Sequence, residues 1–331
     1  MEVMTRREHL RRLGSGAASL ACFPLEVLAA EPAPRLFFKI ALGEYSFNSL
    51  FRAGKYNPLE LARIAKDQFG LDAIDYVSSF WSDKVKNHVF LRELKRRAQD
   101  HRVFNHVILV DLPQSELGDF DESRRAAAVE AHREWIEIAK FLGCPSVRVN
   151  LNGFSLEGLG TPGHKNASLK ASVDGYTRLL KFGAQSGINV IVQNHLGYSC
   201  DPDWLVTVMK SVNSPYAGIQ ADPDHFQELF VAVKPGGNNE VKKGQSFDKY
   251  QGLEKLMPYA KAVNAKTHAF DAEGNETTLD YRRILQIVRS SGYRSYIGIE
   301  WEPEEQGLEM TAYDGIKATQ ALLEADGAPI S

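Results

Sequence analysis

The sequence predicts a closed barrel of eight parallel strands ringed by helices, a (β/α)8 barrel in a single domain. Three observations carry that expectation. Short runs rich in β-branched residues alternate eight times with longer stretches at helical spacing. Eight such units in about 300 residues suit a closed barrel better than an open sheet. No glycine-rich G-x-G-x-x-G turn follows the first strand, so the signature of a nicotinamide-binding open sheet is missing.

The predicted strands cover residues 37–45, 71–77, 104–112, 146–152, 188–195, 217–222, 262–270 and 296–302. Helices fill the gaps. The stretch "NPLELARIAKDQFG" opens with Asn57 as N-cap, Pro58 at the first helical position and Glu60 three past the cap. "DPDWLVTVMKSV" starts on an Asp201–Pro202 cap in the same way. Gly70, Gly143, Gly187 and Gly292 each stop a helix shortly before the next strand. "ESRRAAAVEAHREWIEIAKFLG" and "TLDYRRILQIVRSSG" are the clearest amphipathic patterns. One insertion breaks the rhythm at 228–251, after strand six. It is polar and rich in Gly and Lys, and reads equally as a lid or as a tolerated surface loop.

With 331 residues and a net charge of −3, the chain has an ordinary globular balance and no charge that calls for nucleic acid. The basic run at 92–102 holds Leu94 and Ala98 at helical spacing after Leu91, which makes it the solvated face of a helix. The N-terminus reads differently. Paired Arg6 and Arg7 precede a weakly apolar stretch and a Pro-rich break after Ala30. Residues 1–30 therefore read as a twin-arginine-type signal peptide and 31–331 as the barrel, exported to the periplasm. A lipid-attachment box at Cys22 is disfavoured, because Ser19 stands where such boxes prefer Leu. No stretch is apolar and long enough for a membrane span. Cys144 precedes a strand and Cys200 follows one, at opposite ends of a barrel, so both are expected as free thiols.

In such a barrel the C-terminal strand ends form the active face. The polar residues that close each apolar run should meet there. Strands one to three offer Glu44, Asp75 and Asp111, and strand four Arg148 and Asn150. Strand five ends in Gln193, Asn194 and His195, strand six in Asp222, strand seven in Lys266 and His268, strand eight in Glu300 and Glu302. Asp222, His268 and Glu300 make an oxygen–nitrogen–oxygen set that suits one divalent ion, Mn²⁺, Mg²⁺, Co²⁺ or Zn²⁺. His225 follows Asp222 by three residues across an Asp-Pro turn. It reads as a turn element, or as a group that bonds a substrate hydroxyl or shuttles a proton. Trp81 and Trp301 offer a flat wall for a sugar ring, or pack under the helices.

The blocks "VIVQNHLG", "IQADPDHF", "VNAKTHAFDAEGNETTLDYRRIL" and "GYRSYIGIEWE" resemble the xylose isomerase-like TIM barrels, the superfamily of sugar phosphate isomerases/epimerases and AP-endonuclease family 2. The likeness covers nearly the whole chain after the leader and is greatest to the superfamily's exported branch. The resemblance implies a metal held at Gln193, Asp222, His268 and Glu300, with His225 touching substrate. Gln193 departs from the family pattern, which has Glu there. A glutamine ligates through its amide oxygen but cannot take a proton, so Gln193 cannot serve as one of the two bases of the family's epimerisation. Glu300 remains as base, with Lys266, His195 or His225 as its acid partner; as an acid, Lys266 would need a depressed pKa. Arg148, Asn150, His195 and Trp81 are the expected substrate contacts.

These readings lead to a divalent-metal-dependent isomerase or epimerase that removes a proton next to a carbonyl of a sugar or keto-sugar. Two alternatives stand beside it. One is a lyase or hydrolase acting on oxidised glycosides, where only one proton must be pulled. The other is a carbohydrate-binding barrel that has lost a catalytic glutamate.

Overall fold

The computed structural model describes residues 36–112, 116–151, 158–232, 240–303 and 307–328. The expected leader at 1–30 and Cys22 lie outside the described residues. Eight strands close a parallel barrel: β1 (Lys39–Gly43), β2 (Ala73–Val77), β3 (Phe104–Leu109), β4 (Ser146–Val149), β5 (Asn189–Gln193), β6 (Ala217–Ala221), β9 (Ala260–Thr267) and β10 (Tyr296–Trp301). β7 (Gln227–Ala232) and β8 (Glu240–Ser246) pair with each other as an antiparallel hairpin. Closure comes from β1 pairing β10, with Lys39 opposite Tyr296.

The helices lie outside. They are α1 (Asn48–Arg52), α2 (Leu61–Phe69), α3 (His88–Asp100), α4 (Glu122–Leu142), α5 (Pro162–Ser186), α6 (Pro202–Val212), α7 (Lys249–Leu256), α8 (Tyr281–Ser290) and α9 (Ala312–Gly327). The predicted caps hold. The Asn57 side chain accepts from the Leu59 N–H, and Asp201 accepts from the N–H groups of Asp203 and Trp204. Gly187 ends α5 at φ +72°, in the left-handed region where a Cβ is strained.

The core lies between the barrel wall and the helices, and glycines set its closest approaches. A Cβ on Gly315 of α9 would come within 2.2 Å of the Trp301 ring, so this helix sits directly on β10. Trp301 is consequently buried under α9. Trp81 is buried as well, edge-on to Trp135 of α4 and to Tyr76. The wall expected from these two indoles is therefore corrected: they are packing, and Trp81 is not a substrate contact. Cys144 and Cys200 are free and buried. Among the described residues, no helix is long and apolar enough to cross a membrane.

The insertion after strand six carries the hairpin. It is tied down at its base: Phe226 lies against Gly252 of α7, and Phe230 meets Tyr198 edge-on at 5.0 Å. The expected strand ends also run too long. β5 stops at Gln193, β6 at Ala221 and β9 at Thr267, so His195, Asp222 and His268 stand just past the ladder. There, side chains replace backbone pairing. Asn194 Oδ1 accepts from the Asp222 N–H (2.9 Å), and Asn194 Nδ2 donates to the carbonyls of Asp222 and His225.

Candidate active site

Four inward side chains from four neighbouring strands meet over the barrel. Gln193 Nε2 donates to Asp222 Oδ2 at 2.9 Å. Asn264, mid-strand in β9, donates from Nδ2 to the same oxygen at 3.2 Å and to Glu300 Oε2 at 2.6 Å. Gln220 of β6 holds Asn264 from below by donating to its Oδ1. Register brings the strands together: Asn264 lies opposite Gly298, and Lys266 opposite Glu300.

Lys266 stands among the acids. Its Nζ is 3.5 Å from Glu300 Oε1, 3.8 Å from Asp222 Oδ2 and 2.6 Å from Glu302 Oε2, and the residue is 3% exposed. Burial alone would lower its pKa, but the charges of Glu300, Asp222 and Glu302 outweigh it and hold the ammonium above the usual lysine range. Three carboxylates face it, the opposite of surroundings that would depress a lysine. Burial pushes Glu300 up to about 7; Lys266 opposes the rise, and Asp222 and Glu302 add to it. Burial would raise Asp222 too, but His225 and Lys266 hold it below the ordinary carboxylate value.

His268 lies outside this cluster. Its Nδ1 is 2.6 Å from the Glu302 carbonyl and its Nε2 is 3.1 Å from Asp224 Oδ2. The Glu302 carbonyl fixes the ring through Nδ1, and Nε2, the nitrogen that a metal would take, faces Asp224. The inward position four residues earlier belongs to Asn264, one strand alternation from Lys266. Alternation was the available signal for Asn264; attention to the polar ends of apolar runs passed over it.

The opposite side of the mouth holds the expected substrate contacts. Arg148 Nη1 and Asn150 Nδ2 both donate to Asp111 Oδ1, at 2.6 and 3.0 Å. The His195 and His225 rings meet edge to face, 4.8 Å between centroids. Burial lowers the pKa of both; at His225 the charge of Asp222 works against it. His225 Nδ1 is 3.5 Å from Asp222 Oδ2, at the outer reach of a hydrogen bond. Among the described residues, five buried atoms here have no hydrogen-bond partner: Gln193 Oε1, Arg148 Nε, Asn150 Oδ1, His195 Nδ1 and His225 Nδ1. Tyr45, which the sequence reading did not single out, feels the charges of Glu302, Glu300 and Lys266; burial first and the two acids next push it up to about 12.

Two other expected mouth residues are structural. Glu44 is fully buried and accepts from the Val77 N–H (2.7 Å), the Tyr56 hydroxyl (3.1 Å) and Trp81 Nε1 (3.4 Å). Asp75 lies deeper in the barrel, 2.7 Å from His106 Nδ1, in space that a Cβ on Gly298 would occupy.

The donor set does not fit a divalent ion. Metal-bound carboxylate oxygens sit about 2.0–2.2 Å from the ion with their lone pairs turned to it. Here Asp222 Oδ2 and Glu300 Oε2 receive amide N–H groups, Asp222 Oδ1 receives the Asp224 N–H, and an ammonium faces the remaining Glu300 oxygen. Among the described residues, no three His, Cys, Asp or Glu side chains converge to hold an ion.

Similar barrels have been solved. A 3-keto-D-glucoside 4-epimerase from E. coli superposes with a TM-score of 0.61 at 15% identity, over 86% of this chain and 99% of that one. A D-allulose 3-epimerase from Methylomonas sp. gives 0.59 at 14%, over 89% and 100%. A xylose isomerase-like TIM barrel protein from Mycobacterium smegmatis, in complex with magnesium, gives 0.58 at 14%, over 88% and 98%. At these identities the likeness establishes the shared fold. No curated protein sequence matches the chain. The family profile described as xylose isomerase-like TIM barrel matches residues 62–322, well over half of the sequence, and the protein belongs to that family.

Proposed function

We propose that the protein acts on a sugar or keto-sugar as an isomerase or epimerase, with Glu300 removing the proton next to a carbonyl. The observation that carries this reading is the group of unpartnered buried polar atoms facing a poised carboxyl. Orphaned donors and acceptors are costly unless something fills them. Gln193 Oε1, Asn150 Oδ1, Arg148 Nε and the two imidazole nitrogens form the mixed set that a polyhydroxy ligand satisfies. The barrels of similar shape that bear epimerase names favour the same substrate class.

The chemistry follows from what each group can do. Glu300, pushed up to about 7, is matched to proton removal near neutrality. The C–H electron pair becomes the new C=C bond, and the carbonyl pair moves to its oxygen. That oxygen gains charge, and Lys266 supplies a positive group beside Glu300 to receive it. The proton then returns to the former carbonyl carbon while the adjacent hydroxyl passes its proton to the oxyanion and becomes the new carbonyl, giving an isomer, or a proton is delivered to the opposite face of the same carbon and the carbonyl re-forms, giving an epimer. Gln193 cannot return it. His225 is the donor on that side as an imidazolium, the form that the charge of Asp222 favours against burial. The divalent ion implied by the family likeness would fall to Asp222 and Glu300 with the Gln193 amide oxygen. Lys266 and the amide donors occupy those carboxylates, so no step is routed through an ion.

The test is deuterium wash-in. The protein is incubated in D2O with a panel of ketohexoses, aldoses and 3-keto-glucosides, and exchange next to the carbonyl is read by NMR. Exchange with retention of all substituents supports the reading. Exchange with loss of a β-substituent converts it to a lyase, and binding without exchange makes the chain a carbohydrate binder. Export belongs to the same proposal: Arg6→Lys together with Arg7→Lys should keep the protein out of the periplasm, as read by cell fractionation.

A further inference from the structure

We propose that the Lys266 ammonium is the resident cation of this site, standing where a divalent ion would be expected, and that the protein works without a metal. Two placements and a consequence of the first point there. The first is position: Lys266 lies in register with Glu300 across β9 and β10, and its Nζ reaches Asp222, Glu300 and Glu302 together. The second is the remaining lone pairs. Gln193 and Asn264 each turn an amide N–H onto Asp222 Oδ2, and Asn264 also bonds Glu300, so neutral donors replace the charged ligands that would gather a cation. The consequence is repulsion. A fixed positive charge 3.5–3.8 Å from both carboxylates opposes entry of a second, doubly charged one. The ammonium is almost wholly buried and bonded to Glu302, so it cannot swing into solvent at little cost.

The catalytic half of this inference rests on the reading above: when Glu300 takes the proton, the ammonium holds the developing oxyanion. The binding half needs no substrate. Isothermal titration of chelator-treated, full-length protein with Mn²⁺, Mg²⁺, Co²⁺ and Zn²⁺ should show no stoichiometric uptake, and the ions should not raise the melting temperature. Lys266→Met, which leaves the carboxylates without their counter-charge, should bind Mn²⁺ about a hundredfold or more tighter than the wild type. One tightly bound ion per wild-type chain, lost in Asp222→Asn, would overturn the proposal. A folded Lys266→Met that still takes up no ion would overturn the role given to Lys266. Should Lys266→Met fail to fold, the wild-type titration still decides, with Lys266→Arg expected to stay ion-free. None of these readouts uses a sugar. A protein that exchanges no keto-sugar defeats the functional reading and leaves this one to the ion titration; exchange that chelator abolishes and Mn²⁺ restores would defeat the metal-free proposal alone.

Discussion

Glu44 and Glu300 are the same residue type, both buried at the barrel mouth, and burial pushes both carboxyls up, to about 8 and about 7. Their surroundings differ in kind. Glu44 meets a backbone N–H, a phenol and an indole, with aromatic rings behind them, and both of its oxygens are engaged. Glu300 meets an amide and an ammonium, with Asp222 and Glu302 close by and unpartnered polar atoms across the mouth. A raised carboxyl therefore says little by itself. A glutamate whose hydrogen bonds are all fixed and neutral is scaffold. One that faces a cation and unfilled hydrogen-bonding capacity is placed for chemistry.

The sharpest way to break this comparison is to neutralise each glutamate in turn. Glu300→Gln should cut proton exchange on the responding sugar by about 10²–10⁴-fold while the fold survives. Glu44→Gln should leave exchange unchanged. Equal losses in the two variants, measured by the same NMR wash-in, would erase the distinction. The next largest effect is on stability. Lys266→Met strands carboxylates that the ammonium now compensates and should cost about 3–5 kcal/mol in urea unfolding. A cost below about 1 kcal/mol would mean that water already screens the cluster.

The third test uses pH. A carboxyl whose folded pKa is raised binds more protons folded than unfolded, so its contribution is fully present below the unfolded value, near 4.5, and is lost as pH climbs through about 8. Glu44→Gln mimics the protonated form and should remove that loss. The two proteins should have matching urea midpoints at low pH. Above pH 8 the variant should be more stable by roughly 3 kcal/mol, discounted from the full shift for relaxation around the charge. Parallel curves would show that Glu44 is already ionised in the fold.

Much of this was legible in the sequence, for physical reasons that also mark the limits. Eight strands and their helix caps announce themselves through local periodicity and local hydrogen bonding, as at Asn57 and Asp201. The polar ends of the apolar runs put Gln193, Asp222, Lys266 and Glu300 at one mouth, and the family likeness set Gln193 beside Asp222 and Glu300. What stayed hidden depends on register and on competition between partners. His268 looks like a ligand until Asp224, held below its usual pKa by His268 and Lys249 against the pull of burial, is seen to face its ring. Asn264 is one of several polar residues in β9, and only the pairing of β9 with β10 shows that it bridges two carboxylates. Trp81 carries a sugar-binding side chain in an aromatic layer, where only packing reveals its fate.

Asn194 gives the smallest predicted effect and the finest division of the mouth. It stands between Gln193 and His195 in sequence, yet its amide points to backbone. It donates to the carbonyls of Asp222 and His225 and accepts from the Asp222 N–H, so it fixes the turn that carries both side chains. Asn194→Ala leaves those buried groups unpaired and should cost about 1–3 kcal/mol of stability. Its effect on exchange separates scaffold from chemistry once more. If Asn194 only holds the turn, KM rises as the His225 contact to substrate loosens, while the pH dependence of exchange keeps its midpoint. A shifted midpoint would mean that the turn also sets the electrostatics around Glu300, and then the boundary between the two kinds of residue runs through the turn rather than beside it.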